Sequence, residues 1–130
     1  KIRHIWGTSK LYDTRVGVDP MFPKSLLEDK ELVSIGDMGK EFGVTTGRRR
    51  TCNWLNVDLL VKASEIAGAT HLVINKCDII RKVGIFKLIS EGKTVVFKNY
   101  DEMTSYITTK IGESNSLIKH IFFSNSPEII

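Results

Sequence analysis

Hydrophobic residues recur at helical spacing in the middle of the chain. Between Val57 and Ala67, apolar positions fall three and four residues apart, which places them on one face of a helix. A second helix is predicted from Glu102 to Ile111, between a capping residue and a glycine. The predicted caps and stops are Asn56 and Gly68 for the first helix, and Asp101 and Gly112 for the second.

Other segments carry strand patterns. His71–Ile74 is a continuous apolar run, as in a strand that is buried on both faces of a parallel sheet. Gly84–Ile89 and Lys93–Phe97 flank a Glu-Gly pair, and this pattern predicts a β-hairpin. Leu117–Phe123 is predicted as a final buried strand, and Glu31–Ile35 as a short strand that ends at the next glycine.

The predicted strands alternate with helices, which is typical of an α/β fold. The chain has 130 residues, 42% of them hydrophobic and 26% charged, and this composition suffices for one core. We expect a mainly parallel sheet flanked by helices, with the β-hairpin as an insertion. In such sheets, ligands bind where the carboxyl ends of the strands meet.

The net charge and the cysteine content constrain the ligand class and the cellular compartment only weakly. The net charge of +4 fits an anionic small ligand as well as nucleic acid. Cys52 and Cys77 provide no disulfide framework, so we expect a reduced, cytoplasmic setting. No apolar run is long enough to span a bilayer, and no membrane partner is expected. The first residue is Lys1, which is consistent with a piece of a longer protein.

The most informative stretch is the polar loop that begins at Gly43 and contains two threonines, two glycines and three consecutive arginines. Glycine lets backbone amides approach a ligand closely. Arginine presents a planar fork of donors that matches carboxylate and phosphate oxygens. We therefore predict that the loop closes on a carboxylate- or phosphate-bearing molecule. Its predicted binding residues are Val44, Thr45, Thr46, Gly47, Arg48, Arg49 and Arg50.

A second motif, Asn75–Asp78, has the form Asn-Lys-x-Asp and directly follows a predicted strand. The Asp78 carboxylate could accept both edge donors of guanine, N1–H and the N2 amine, while the alkyl stem of Lys76 covers the purine face. Adenine lacks the N2 amine, so an aspartate discriminates against it by roughly 1–3 kcal/mol. Cys77 is interpreted as a packing residue within the motif. The alternative for the whole motif is a charged turn.

A third motif, Ser124-Asn125-Ser126, ends the last predicted strand. Its backbone N–H groups could donate to the guanine O6 and close a base pocket, in the same strand-then-turn context as the second motif. A solvated loop is the alternative. The three histidines show no metal-binding spacing and are interpreted as structural, so no metal site is predicted.

Taken together, these motifs resemble adenylosuccinate synthetase, a ligase of purine biosynthesis. The resemblance spans about Tyr12 to Glu128, and it implies the C-terminal portion of a P-loop-NTPase-like fold. It is most specific at Glu41–Arg50. The matching segments, in the family's order, are Thr14–Gly17 with Pro20, Glu41–Arg50 with Trp54 and Leu55, Lys76-x-Asp78, and Ser124-x-x-Pro127-Glu128.

The resemblance implies a GTP-dependent ligation. The family uses GTP to phosphorylate the 6-oxygen of IMP, and the amine of aspartate then displaces that phosphate, which gives adenylosuccinate, GDP and phosphate. By position, the loop Val44–Arg50 would receive L-aspartate. Arg48 would bind an aspartate carboxylate and approach the ribose of the purine nucleotide, and Arg50 would face both the aspartate and the GTP phosphates. The implied guanine contacts are Lys76, Cys77, Asp78, Ser124, Asn125 and Ser126.

The resemblance also implies a cytoplasmic homodimer that binds IMP, L-aspartate and GTP, and neither nucleic acid nor membrane. GTP is the implied co-substrate, and Mg²⁺ is implied in the family's N-terminal part. We expect residues 1–130 to be the C-terminal portion of a single synthetase-like domain. The family's phosphate loop, catalytic aspartate and catalytic histidine have no counterpart in this sequence, so no catalytic residue is assigned and the segment alone is expected to be inactive.

Departures from the family pattern keep alternatives open. Asn53 stands where the family has glycine, and the last turn reads Ser-Asn-Ser rather than Ser-Thr-Gly. A viral relative that acts on a 2-amino purine (deoxy)nucleotide is one alternative. A non-catalytic GTP-binding regulatory module would use the same two turns, and a basic nucleic-acid-binding domain would centre on Arg48–Arg50. Aspartate-dependent phosphate release from GTP distinguishes the ligase from the last two.

Overall fold

The computed structural model describes residues 4–15, 26, 28–41 and 50–124. Strands and helices alternate through these ranges. In chain order they are β1 (Trp6–Lys10), β2 (Tyr12–Arg15), α1 (Lys30–Met38), β3 (Thr51–Asn56), α2 (Val57–Ala67), β4 (His71–Asn75), α3 (Cys77–Val83), β5 (Phe86–Ser90), β6 (Lys93–Phe97), α4 (Tyr100–Ser114) and β7 (His120–Phe123).

The described strands form two sheets. In the first, β1 and β7 both pair in parallel with β4, which lies between them. In the second, the order is β2-β3-β5-β6, with a parallel pair at the centre and antiparallel pairs on either side. The predicted α/β class, the parallel sheet and the β5–β6 hairpin are thus confirmed. Because β1, β4 and β7 run in the same direction, the segments after them emerge at one edge.

The core lies between the strands and the helices that pack on them. Ile74 of β4, Leu55 of β3 and Leu88 of β5 are fully buried, so both sheets contribute to one apolar cluster. From the helices, α4 places Met103, Ile107 and Ile111 in the same cluster at spacings of four residues. This shared core fixes the position of the sheet edge that carries the polar turns.

Helix α2 and strand β4 form where the sequence predicts them. The Asn56 side chain accepts a hydrogen bond from the Leu59 N–H at 3.2 Å, which satisfies a donor of the first turn. Gly68 ends the helix with φ of 65°, a left-handed conformation that glycine adopts at little cost. The apolar run that follows is buried over His71–Ile74, as predicted.

Helix α4 is longer than predicted at both ends. Its cap is Asn99, whose side chain accepts from the Glu102 N–H at 2.9 Å, while Asp101 lies in the first turn. Gly112 does not stop the helix, because two more helical residues follow it before the C-cap Asn115. A Cβ at position 112 would meet nothing within 4 Å, so this glycine lies on an open helix surface.

The predicted strand Glu31–Ile35 is wrong, because these residues lie within helix α1. The Asp29 side chain accepts hydrogen bonds from the N–H groups of Glu31 and Leu32, at 3.0 and 3.2 Å, and so starts a helix. Leu32 and Ile35, three residues apart, are both buried on the same helix face. A run of five residues fits both the helical and the strand period of hydrophobic residues. The Asp29 cap, which precedes the run, favours the helix.

The last strand is shorter and more exposed than predicted. β7 begins at His120 rather than Leu117, and it forms one edge of its sheet. Ile121 and Phe123 pack against the core, whereas Phe122 remains 43% exposed on the opposite face. The prediction of a buried strand is therefore wrong, because one face of β7 is partly buried and the other is exposed.

Candidate functional site

Two polar turns meet at the carboxyl edge of the parallel sheet. The backbone N–H of Ser124, after β7, donates to the carbonyl oxygen of Ile74 at 2.8 Å. In return, the N–H of Cys77, after β4, donates to the carbonyl oxygen of Ser124 at 3.1 Å. These bonds extend the strand pairing beyond the sheet, so Ser124 lies directly beside the Asn-Lys-x-Asp segment. Asn125 and Ser126 lie outside the described residues.

Lys76 has an unusual backbone conformation at this edge. Its φ is 63° and its ψ is 22°, in the left-handed region that non-glycine residues rarely adopt. The sharp turn separates β4 from α3 and places Asp78 in the first turn of α3. Both side chains are half-buried. The sequence did not predict α3 itself.

Cys77 and Asn75 face inward from the same turn. Cys77 is fully buried and its Sγ donates to the carbonyl oxygen of Ile74 at 3.2 Å. Burial raises the pKa of the Cys77 thiol, which keeps it neutral. The side-chain oxygen of Asn75 is also buried, and it has no hydrogen-bond partner among the described residues. A buried amide oxygen without a partner is costly, and it marks this edge as a place where a donor would be accommodated.

The base of the arginine loop lies near the carboxyl end of β1. Residues 42–49, which include Val44, Thr45, Thr46, Gly47, Arg48 and Arg49, lie outside the described residues. The two residues that flank them are described and bonded to each other. The Arg50 N–H donates to the Glu41 carbonyl oxygen at 2.9 Å, and Arg50 Nη1 donates to Glu41 Oε1 at 3.0 Å.

Glu41 is the centre of a buried polar cluster. It is only 2% exposed, and its Oε1 also accepts from Lys10 Nζ at 3.1 Å. The Tyr12 hydroxyl donates to Oε2. Burial raises the pKa of the Glu41 carboxyl, but the hydrogen bonds from Tyr12, Lys10 and Arg50 outweigh burial and bring the pKa below its usual value. Glu41 is therefore a carboxylate at neutral pH.

The loop base and the polar turns are connected through β1. Lys10 is the register partner of Asn75, and the Leu11 N–H donates to the Asn75 carbonyl oxygen at 3.0 Å. Burial raises the pKa of Tyr12 well above its usual range, and the charges of Glu41 and Asp78 raise it further. Asp78 thus lies within electrostatic reach of the cluster around Glu41.

A cavity of about 240 Å³ opens between β1, β3 and α2. Asp13 and Arg15 line it on one side, and Leu59 and Leu60 line it on the other. The Asp13 carboxylate accepts from the Asn56 N–H at 3.2 Å, and burial raises the pKa of Asp13. The cavity therefore combines a charged wall from β2 with an apolar wall from α2.

Lys10, Tyr12 and Glu41 are the polar residues that sequence reasoning missed. Their nearest signals are weak, since Lys10 ends a strand and Glu41, although it begins the segment of the family resemblance, received no role there. Within the described parts of the chain, no three His, Cys, Asp or Glu side chains are arranged to hold a metal ion. None of the described helices is both long and apolar enough to cross a membrane.

Comparison with known proteins identifies relatives over most of the chain. The family profile described as adenylosuccinate synthetase matches residues 1–113. An adenylosuccinate synthetase of Desulforapulum autotrophicum is 35% identical over 98% of the chain, and that of Candida albicans is 42% identical over 81%. The chain spans 32% and 23% of the lengths of these two relatives.

A solved structure shares the fold. The fully ligated adenylosuccinate synthetase from Plasmodium falciparum superposes with a TM-score of 0.66 and 19% sequence identity. The match covers 97% of this chain and 38% of that one. At this identity the likeness concerns the arrangement of strands and helices, which is P-loop-like.

Proposed function

This chain belongs to the adenylosuccinate synthetase family, and on that premise we propose that it supplies the aspartate loop and the guanine turns of a GTP-dependent ligase. The observation that carries the proposal is the pairing of Cys77 with Ser124, which brings two predicted base-binding turns together. Residues 1–130 would then be the C-terminal portion of one synthetase domain.

The proposed reaction has two steps. GTP phosphorylates the 6-oxygen of IMP. The amine of L-aspartate then attacks carbon 6 of the purine and displaces phosphate. The products are adenylosuccinate, GDP and phosphate. This chain contributes positioning and charge to both steps, and no general acid or base is assigned to it. Positioning of this kind supplies a large share of catalysis in group-transfer enzymes.

In this proposal, guanine binds at the edge formed by β4 and β7. Asp78, at the start of α3, accepts the N1–H and N2 amine of the base, and the Lys76 stem covers one face. Ser124 lies beside them, and Asn125 and Ser126, which follow it in the sequence, are proposed to contact the same base. Backbone hydrogen bonds join Cys77 to Ser124 and Ser124 to Ile74, so the backbone on either side of the proposed base site is held in place before the base arrives.

The arginine loop binds L-aspartate in the same proposal. Arg50 lies at its base with a half-buried guanidinium, and the bond to Glu41 uses Nη1. The remaining donors face the carboxylates of aspartate and the phosphates of GTP. Val44 to Arg49 complete the loop, where two threonines and a glycine offer hydroxyl and backbone groups. Lys10 and Arg50 add positive charge for these anionic ligands.

The remaining assignments concern the whole ligase. We propose a cytoplasmic homodimer that requires Mg²⁺, with the metal held outside the described residues. The 130-residue segment alone is proposed to be inactive, because the family's phosphate loop and its catalytic aspartate and histidine are not in it.

The test is phosphate release by a full-length protein that carries this sequence. We expect release from GTP only when both IMP and L-aspartate are present, and adenylosuccinate is measured by its absorbance. GTP hydrolysis that ignores aspartate would instead indicate a regulatory GTP-binding module. Turnover with a 2-amino purine deoxynucleotide in place of IMP would instead indicate the alternative ligase, which acts on 2-amino purine nucleotides.

A further inference from the structure

We propose that Glu41 is a positioning residue that holds Arg50, the last residue of the arginine loop, and orients its guanidinium toward the ligand. The proposal rests on the proposed function, because the ligand of the loop is taken to be L-aspartate. Glu41 itself touches no substrate in this proposal. It acts through Arg50, to which both its backbone and its side chain are bonded.

Backbone hydrogen bonds hold Glu41 through both its N–H and its carbonyl oxygen. Its N–H donates to the Gly36 carbonyl oxygen at 2.9 Å, which ties it to helix α1. Its carbonyl oxygen accepts from the Arg50 N–H at 2.9 Å, which joins the two described residues on either side of positions 42–49. The first and last residues around the loop are thus held at one fixed point on the fold.

The carboxylate of Glu41 accepts hydrogen bonds from three side chains. Lys10 and Arg50 both donate to Oε1, and Tyr12 donates to Oε2. With these three donors on a nearly inaccessible carboxylate, Glu41 is not available as a ligand or a general base. Its remaining role is to fix its donors, which come from β1, from β2 and from the far end of the loop.

The charge balance indicates why a carboxylate occupies this place. One negative charge faces two cations, Lys10 and Arg50, so the cluster carries one positive charge in excess. Burying an ion pair contributes little stability compared with an apolar residue of similar size. A buried carboxylate that holds an arginine fork in one orientation is therefore better explained by positioning than by stability alone.

Glycine at position 39 keeps room for this arrangement. A Cβ at Gly39 would lie 2.4 Å from the Tyr12 hydroxyl, inside the volume that the phenol needs. It would also come within 3.4 Å of Glu41 Oε2. The end of α1 is therefore shaped around the Tyr12–Glu41 contact.

The experiment is a double-mutant cycle in the full-length enzyme with Glu41→Gln, Arg50→Ala and the combination. Glu41→Gln keeps the shape of the side chain and removes its charge. We expect it to raise the KM for aspartate by about tenfold, because a misaligned guanidinium loses its fork geometry. The KM for GTP is expected to rise as well, because Arg50 also faces the GTP phosphates in the proposed function, whereas the KM for IMP changes by less than about twofold. In the Arg50→Ala background, Glu41→Gln has no further effect on the aspartate KM.

The outcomes separate this proposal from the proposed function. Absence of aspartate-dependent phosphate release in the wild-type enzyme overturns the proposed function itself. Normal release with an unchanged aspartate KM in Glu41→Gln overturns only the positioning role, as does an additive effect in the Arg50→Ala background. If Glu41→Gln does not fold, Tyr12→Phe removes one donor and is expected to raise the aspartate KM by about threefold without affecting the KM for IMP. An unchanged aspartate KM in Tyr12→Phe counts against the proposal.

Discussion

The N–H of Cys77 and the carbonyl oxygen of Ser124 are joined by a hydrogen bond of 3.1 Å, although 47 positions separate the two residues in the chain. The adjacent bond from the Ser124 N–H to Ile74 makes the two turns one unit. A ligand that contacts one turn is therefore positioned relative to the other.

Asp78→Asn is expected to relax the choice of base. An amide at this position presents a donor to the N1–H of guanine and loses one of two acceptor bonds. In the full-length enzyme, we expect the ratio of kcat/KM for GTP over ATP to fall by about tenfold or more. Asp101→Asn, an exposed carboxylate in the first turn of α4, is the matched control. An unaltered GTP-to-ATP ratio in Asp78→Asn would contradict the proposed guanine site.

Arg48→Ala is expected to weaken aspartate binding. Removal of a guanidinium leaves one carboxylate of the diacid without its fork of donors, at a cost of about 1.5–3 kcal/mol. The aspartate KM should rise by at least about tenfold, measured by phosphate release at saturating GTP and IMP. Lys62→Ala removes an exposed cation from α2 and serves as the control for net charge. Equal aspartate KM values for Arg48→Ala and the wild type would argue against the aspartate loop.

Ile107→Ala is expected to destabilise the fold. Ile107 is fully buried in α4, and its truncation leaves a cavity in the core that both sheets share. The free energy of unfolding should fall by about 2–5 kcal/mol, measured by chemical denaturation. Ile66→Ala, at a position 78% exposed on α2, provides the control and should change stability by less than about 0.5 kcal/mol. Similar losses for both variants would indicate that α4 does not pack as described.

Acidification is expected to destabilise the protein through His71. Burial lowers the pKa of His71, and the neighbouring charges of His4, His120 and Lys119 lower it further. The unfolded chain therefore binds a proton at His71 at a higher pH than the folded chain does. Stability is fully present above the unfolded pKa, about 6.5, and falls as the pH drops through it.

His71→Gln provides the measurement for this titration. Denaturation curves at several pH values should show a smaller loss of stability on acidification in the variant than in the wild type. The Trp6 ring is stacked on His71 with centroids 4.6 Å apart, so its fluorescence gives a local readout of protonation. Identical pH slopes in the two proteins would mean that His71 is not the group responsible.

Local signals predicted much of the fold. Asn56 and Gly68 are a cap and a stop within one helix length, and the Glu-Gly pair lies between two matched strands. The Glu31–Ile35 segment was misassigned because five residues do not separate a helical from a strand period. The decisive feature, the Asp29 cap, lies just outside that run. The family resemblance drawn from the motifs is confirmed by the comparisons.

The sequence patterns predicted only part of the candidate site. The polar turns after β4 and β7 follow strong strand patterns, so their place in the sequence is evident. Glu41 contacts Lys10 and Tyr12, which lie 31 and 29 positions away, and nothing in the local pattern indicates these partners. Their meeting depends on how β1, β2 and α1 pack, which is a property of the whole fold rather than of a motif.

The left-handed backbone of Lys76 sets two requirements against each other. A side chain in this conformation costs the fold about 1–2 kcal/mol relative to glycine. Glycine would remove that penalty, but it would also remove the alkyl stem proposed to cover the base. A more stable chain and a more selective nucleotide pocket therefore call for different residues at this one position.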